Sequence, residues 1–321
     1  MLAGSRVRGR FRAHRTKTNV RGLLKKRVEQ ALSSSVVGRI VRHRVRGRRL
    51  ILAYHGIVPD GATPAGERAL FIAQRDFAAQ LDLLAAAAEV VPLDRIDETG
   101  DGRPRVAITF DDAYRGAVNE GVRELTARGL PATIFVAPGR LNSHVFWWDS
   151  LAHKDLTLDG KVRHHALHAL AGSDERVRAW AAAVHLPSAD MLPAYAQTAT
   201  RAELRAALSV PGITVGSHTW SHANLASLDA ADIASEVEQP LNWLRAEFGE
   251  KVIPWIAYPY GLDSDEARRA AADALYAGGL RIGGGWHKAT EVSAFARPRL
   301  NVSAGLSLAG FHARLIGALP L

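Results

Sequence analysis

Two adjacent carboxylates, Asp111 and Asp112, follow an apolar run in the stretch Ile108-Thr109-Phe110-Asp111-Asp112-Ala113-Tyr114. At the end of a buried strand, two like charges repel unless a cation stands between them. A second polar constellation is Gly216-Ser217-His218-Thr219-Trp220-Ser221-His222, where two histidines lie four apart after apolar Ile213 and Val215. Histidines at that spacing in a helical turn share a face and can hold one ion. Two histidines and one carboxylate leave coordination positions open, which suits a catalytic rather than a closed structural centre. Such an ion brings the pKa of a bound water to ~7 and polarises a carbonyl. The remaining carboxylate, beside that water, can take its proton. So one Asp binds and the other reacts. The chain has no cysteine, so a transition metal has to be held by His and carboxylate alone.

The elements that must position these groups alternate along the chain. Strands are expected at Leu50–Tyr54, Val106–Phe110, Ala132–Val136, Ile213–Gly216, Val252–Tyr258, Leu280–Ile282 and Arg299–Val302. Helices are expected at Arg75–Ala88, Arg115–Ala127, Ala202–Leu208, Ala230–Phe248 and Ser264–Ala272. Roughly seven strands in β/α alternation imply a parallel barrel or an open parallel sheet, with the site at the C-terminal ends of the strands. The polar residues obey that rule: His55, Asp111 with Asp112, Ser217 with His218, and Tyr258 to Gly261 each follow a strand. Residues 140–201 read as a helical insertion carrying Trp147, Trp148 and several histidines.

At 321 residues and 47% hydrophobic, the chain can form one large domain, 50–321, with an extension. The net charge of +9 is uneven: residues 1–49 hold 16 Lys and Arg against Glu29, so the rest is about −6. The basic character therefore belongs to an N-terminal arm, and no nucleic-acid partner is expected. Residues 1–20 read as disordered. Over 21–47, Leu24, Val28, Leu32, Val36 and Ile40 recur at helical steps among basic residues, which suits an amphipathic helix on an anionic membrane surface. The arm lacks the apolar core of a secretion signal. No window approaches the ~18 apolar residues of a membrane span; the best, Leu81 to Leu93, is broken by Asp82, Glu89 and Pro92. A cytoplasmic protein, peripheral at the inner membrane face, is the resulting expectation.

Taken in order, Thr109-Phe110-Asp111-Asp112, Ser217-His218-Thr219-Trp220-Ser221-His222 and Tyr258-Pro259-Tyr260-Gly261 resemble the signature of polysaccharide deacetylases, the NodB-homology enzymes of carbohydrate esterase family 4. The resemblance spans about residues 50–303. It implies a distorted (β/α)7 barrel, Asp111 as catalytic base, and Asp112, His218 and His222 as ligands to a divalent metal, usually zinc, sometimes cobalt or nickel. The implied reaction is hydrolysis of an N-acetyl group from an amino sugar. Hydrolysis of a non-sugar amide such as a cyclic ureide on the same barrel is an alternative, as is a non-catalytic, metal-bearing glycan binder.

The chain also departs from the pattern. Many members carry an Arg two residues before the Pro of the third motif; here that residue is Ala257, as in a subgroup found with surface-glycan synthesis. Arg297 or Arg299 is expected to hold Asp111 instead. The late Leu-x-His motif is not recognisable, and His312 sits in what reads as a terminal helix. His55, in a Tyr54-His55-Gly56 element, is the better catalytic candidate, as acid or as orienter of the metal shell. Tyr114, Tyr260 and Trp148 are expected to line the substrate pocket, with Asp149 able to bind hydroxyls. Backbone N–H groups around Tyr260 would serve an oxyanion, and Trp286 would sit on a loop over the pocket.

Overall fold

The computed structural model describes residues 45–152, 155–189 and 191–319. Its centre is a closed barrel of seven parallel strands: β1 (Arg49–Tyr54), β2 (Arg105–Phe110), β3 (Ala132–Val136), β4 (Ile213–Ser217), β5 (Val252–Ala257), β6 (Gly278–Ile282) and β7 (Arg297–Asn301). Each pairs with the next, and β1 closes the ring by pairing with both β2 and β7. All seven expected strands are present. Three shorter ones were not anticipated: Glu89–Val90 on the edge of β2, and Gly56–Val58 paired with Phe71–Ala73.

Parallel strands covered on both faces read as continuous apolar runs, and every residue of β2 and β3 is buried. One face of the strands fills the barrel: Ile51, Ala107, Phe135, Trp255, Ala257 and Leu280 pack together, and Val91, Leu93 and Ile96 plug the N-terminal end. The other face, with Leu50, Leu52, Val106, Ile108, Ile134 and Val215, meets the helices.

The helices are α1 (Gln74–Ala87), α2 (Val122–Thr126), α3 (Trp147–Ser150), α4 (Gly160–His168), α5 (Asp174–Ala183), α6 (Arg201–Ser209), α7 (Ala230–Phe248), α8 (Asp265–Asp273) and α9 (Leu308–Leu315). The helix expected over Arg115–Ala127 contains a π-helical turn, Ala117–Gly121, that leads into α2. α7 starts where the Asp229 side chain accepts the Asp232 N–H, and it buries Ile233, Val237, Leu241 and Leu244 at helical spacing. Each such side chain contributes about 1.5–3 kcal/mol, so Val237→Asp would detach the helix. Thr200 and Glu203 form a capping box at α6. α3 to α5 lie in the long crossover between β3 and β4, within residues 140–201, and α6 follows at the helix expected over Ala202–Leu208.

Of the basic arm, residues 1–44 lie outside the described residues, and with them most of the proposed amphipathic helix. At the other side of that boundary, Val45 is buried and Arg49 opens β1. No helix among the described residues is long and apolar enough to cross a membrane.

Candidate active site

The registers bring the functional groups to one rim. Tyr54 pairs with Phe110, Val136 with Ser217, and Ala53 with Asn301. His55, Asp111, Asp112, His218, Tyr260 and Asn301 therefore emerge together at the C-terminal mouth of the barrel. A register irregularity between Val215 and Ser217 of β4 comes just before His218, the kind of bulge that re-aims a side chain next to a site. The turns are strained: Asp112, Ala113, Thr219, His222 and Tyr260 all have positive φ, between +50° and +67°. Non-glycine residues persist in that region where the surroundings force them, often at functional sites. At Asp112 and Ala113 the left-handed pair turns the chain so that the two carboxylates face different partners.

A cavity of about 120 Å3 opens at this rim, with His55, Asp111, Asp112, His218, His222, Trp148 and Tyr260 on its wall. Asp112, His218 and His222 offer ligand atoms that all lie within 4.8 Å of one another, and all three residues are buried. Asp112 Oδ1 is 3.1 Å from His222 Nε2 and 3.6 Å from His218 Nε2. His218 Nδ1 contacts the Ala257 carbonyl at 2.7 Å, which makes Nδ1 the protonated nitrogen and points the Nε2 lone pair at the carboxylate. Asp112 Oδ1 is buried without a hydrogen-bond partner. A lone pair facing an orphaned carboxylate oxygen is unfavourable unless a cation lies between. The donor set, two imidazoles and a carboxylate, therefore fits a divalent metal.

Burial pushes Asp112 up to about 6 against the pull of His218 and His55, and burial lowers His222 to about 4. Both shifts disfavour charge in the buried cluster, and a cation would reverse the first. Asp111 behaves oppositely. Burial alone would raise it, but the Arg299 guanidinium, with His218 and His55, holds the carboxyl well below its ordinary range. Arg299 is fully buried and bonds both Asp111 oxygens at 2.7 Å, with Nη1 also 3.1 Å from Thr109 Oγ1. Asp111 Oδ2 is 3.9 Å from His55 Nε2 and 4.0 Å from His218 Nε2. One carboxylate thus joins the ligand cluster and its neighbour is kept ionised beside it.

A polysaccharide deacetylase family model matches residues 99–278. The chain belongs to the polysaccharide deacetylase family. Its members are hydrolases of N-acetyl amide bonds. No curated protein matches the sequence. Solved structures share the fold. The Streptococcus pyogenes deacetylase PplD, in complex with acetate, is 17% identical with a TM-score of 0.58, over 84% of this chain and 99% of that one. IcaB from Ammonifex degensii is 16% identical with a TM-score of 0.58, over 84% and 98%. A polysaccharide deacetylase from Bacillus cereus is 16% identical with a TM-score of 0.59, over 84% and 69%.

In this family member the Arg absent at Ala257 has its counterpart on β7. Arg299 takes Asp111, while Arg297 pairs with Asp97 and lies over the Trp255 ring, deeper in the barrel. The matched stretch ends at residue 278, so neither Arg lies within it.

Several expected pocket residues lie elsewhere. Tyr114 is fully buried and is not on the cavity wall; its hydroxyl shares a hydrogen bond with Asp149 Oδ2 and accepts from Trp148 Nε1 at 2.9 Å. The left-handed turn at Asp112 and Ala113 directs it behind the wall that Trp148 forms. Asp149 is not available to sugar hydroxyls, because it is buried with Oδ1 accepting the Glu67 N–H at 2.8 Å. Trp286 is not over the cavity: its Nε1 donates to the Arg314 carbonyl, and neighbouring His287 bridges to Arg49 at the opposite end of the barrel. Tyr260 does line the cavity, with its hydroxyl donating to Gly172 O at 3.0 Å. The Trp148, Tyr260 and Phe146 rings surround His222 at centroid distances of 4.9, 4.7 and 5.4 Å. His312 is in α9, as expected.

Sequence reasoning missed Arg163, Leu70, Ile282 and Asn301, which complete the cavity wall. Asn301 was open to discovery, two residues beyond Arg299 at a strand end. Arg163 and Leu70 carried no signal, since α4 and the Arg68–Leu70 turn reach the rim only through tertiary packing.

Proposed function

We propose that this chain removes N-acetyl groups from an amino-sugar glycan or glycolipid precursor with the help of a divalent metal, zinc first among the candidates. The observation that carries the reading is Asp111, locked in its ionised form by Arg299 next to the Asp112–His218–His222 cluster. A pure binder has no use for a buried base held beside three ligands. The cavity volume, about 120 Å3, suits an acetamido group with the sugar outside it.

A bound cation would polarise the acetyl carbonyl and acidify the water beside it. Asp111 takes that water's proton as its oxygen bonds to the carbonyl carbon. The backbone N–H of Tyr260, in its left-handed turn at the cavity wall, would serve the developing oxyanion. His55, 3.9 Å from Asp111 Oδ2, relays the proton that Asp111 has taken to the departing nitrogen, which leaves Asp111 ionised again. The C–N bond breaks, and acetate and a free amine leave. Trp148 and Tyr260 form the apolar wall for the acetyl methyl and the sugar face.

The basic segment 21–47 would hold the catalytic domain, 50–321, at an anionic membrane surface, at the inner face of the cell membrane, where a precursor is deacetylated before export. Acetate release from a panel of N-acetylated oligosaccharides and cyclic ureides tests the reaction. Activity on the sugars that disappears in Asp111→Asn and in His222→Ala supports it. Unchanged activity in either variant, or turnover of ureides alone, overturns it.

A further inference from the structure

Three of the four peptide groups in the loop between the two histidine ligands are pinned by residues outside the ligand cluster. Glu236, half-buried on α7, accepts the Trp220 N–H at 3.0 Å and the Ser221 N–H at 2.8 Å on Oε2, and the Ser221 hydroxyl at 2.6 Å on Oε1. The Glu236 backbone carbonyl also accepts the Trp220 N–H, at 3.1 Å. A carbonyl inside a helix is normally taken by the N–H four residues on. Here that residue is Pro240, buried within α7, which has no N–H to give. The proline therefore frees the one helical carbonyl that faces the loop. On the other side, the Gly139 N–H donates to Trp220 O at 3.0 Å and Arg140 Nε donates to Ser221 O at 2.9 Å. Arg140 is itself held by both oxygens of Glu175 on α5.

We infer that Glu236, together with the carbonyl released by Pro240, is a positioning anchor that presets the His218–Thr219–Trp220–Ser221–His222 loop for metal. The inference rests on the metal reading above and adds a role for residues remote from the cluster. The loop is strained, with Thr219 and His222 both at φ +63°, and it needs an external hold to keep both Nε2 atoms aimed at Asp112. Outer partners of metal ligands set affinity because they fix ligand orientation before the ion arrives. Glu236 contributes its side chain and its main chain to the same N–H, so loop and helix move as one body. A proline in a helix interior ordinarily weakens the helix; here the released carbonyl does work that an alanine at 240 would cancel by capturing it.

The test measures zinc affinity by chelator competition in the full chain and in Glu236→Leu, Glu236→Gln and Pro240→Ala, with thermal unfolding of each and His222→Ala as the ligand-deleted control. Glu236→Leu should lose about 10- to 100-fold in affinity, and excess zinc should restore its turnover. Glu236→Gln, whose amide oxygen can still accept both N–H groups, should stay close to the wild type. Pro240→Ala should unfold at an equal or higher temperature yet bind zinc more weakly, by about threefold or more. That opposition of stability and affinity is something a merely structural residue would not produce. Unchanged affinity in folded Glu236→Leu, or in Pro240→Ala should the first variant fail to fold, overturns the anchor. A wild type that binds no zinc overturns the metal reading instead.

Discussion

Arg299 meets Asp111 end to end, Nη1 on Oδ1 and Nη2 on Oδ2, both at 2.7 Å. The pair is buried and bidentate, which an ammonium cannot reproduce. Arg299→Lys should fold but lose about tenfold or more in kcat, because the carboxylate is no longer aimed. Arg299→Leu leaves a buried carboxylate unpaired and should cost about 3–5 kcal/mol of stability. In any Arg299 variant that still turns over, Asp111 titrates higher, so the acidic limb of the kcat/KM profile should move to higher pH. A limb that stays in place would mean that Asp111 is not the group it reports.

Removal of metal gives a second check. Dialysis against a strong chelator should abolish acetate release, and zinc, cobalt or nickel should restore it. His222→Ala should bind zinc at least about tenfold more weakly than the wild type, and Asp111→Asn should bind it nearly as well while losing about 100- to 10,000-fold in kcat. Equilibrium dialysis with metal analysis separates the two losses, which assigns binding and reaction to different carboxylates.

Asp149 predicts a pH dependence of stability. Burial pushes its carboxyl up to about 8, against ~3.9 in an unfolded chain. The folded state therefore holds a proton that the unfolded state has released. Its contribution is complete below about pH 4 and declines as pH rises toward about 8. In Asp149→Asn, the amide oxygen can keep the Glu67 N–H and the amide can donate to Tyr114, without this titration. The melting temperature of the wild type should fall relative to the variant across pH 5 to 8, by at most about 1.4 kcal/mol per pH unit in equivalent stability. A difference that is flat with pH would show Asp149 to be ionised throughout.

The membrane-facing role proposed for the arm should be separable from catalysis. Because Val45 is buried, the cut belongs at residue 44. A chain beginning at Val45 should deacetylate a soluble oligosaccharide at the full rate and should no longer co-sediment with anionic vesicles. Retained sedimentation would place the membrane contact elsewhere.

Much of the barrel was legible because its strands are buried on both faces and end in polar residues; Ala132–Val136 and Ala230–Phe248 are found with the expected bounds. The cluster of Asp111, Asp112, His218 and His222 was legible for the same reason, since a strand end fixes where a side chain emerges. Arg297 and Arg299 were not separable. They lie two apart on β7 and point the same way, into the barrel, so alternation cannot rank them. What differs is depth: Arg299 pairs with Ile282 near the mouth, and Arg297 pairs with Leu280 below it. That depth is set by the stagger of the strands, which no local pattern carries. Tyr114 failed for another reason, because two consecutive left-handed residues without glycine have no signal in composition. Glu236 and Pro240 read only as a helix with a flaw until Trp220 was placed against them.

Asp111 leaves the second strand of the ring and Arg299 sits on the last, with β1 paired to both. A nascent chain makes Asp111 long before its counter-charge exists. Until the final strand docks, that carboxylate has no guanidinium to hold it ionised and aimed, and the amide-cleaving centre stays incomplete. With Asp111 as the proposed base, competence for hydrolysis would be coupled to finished synthesis, and a product truncated before residue 297 would be unarmed even with Asp112, His218 and His222 assembled.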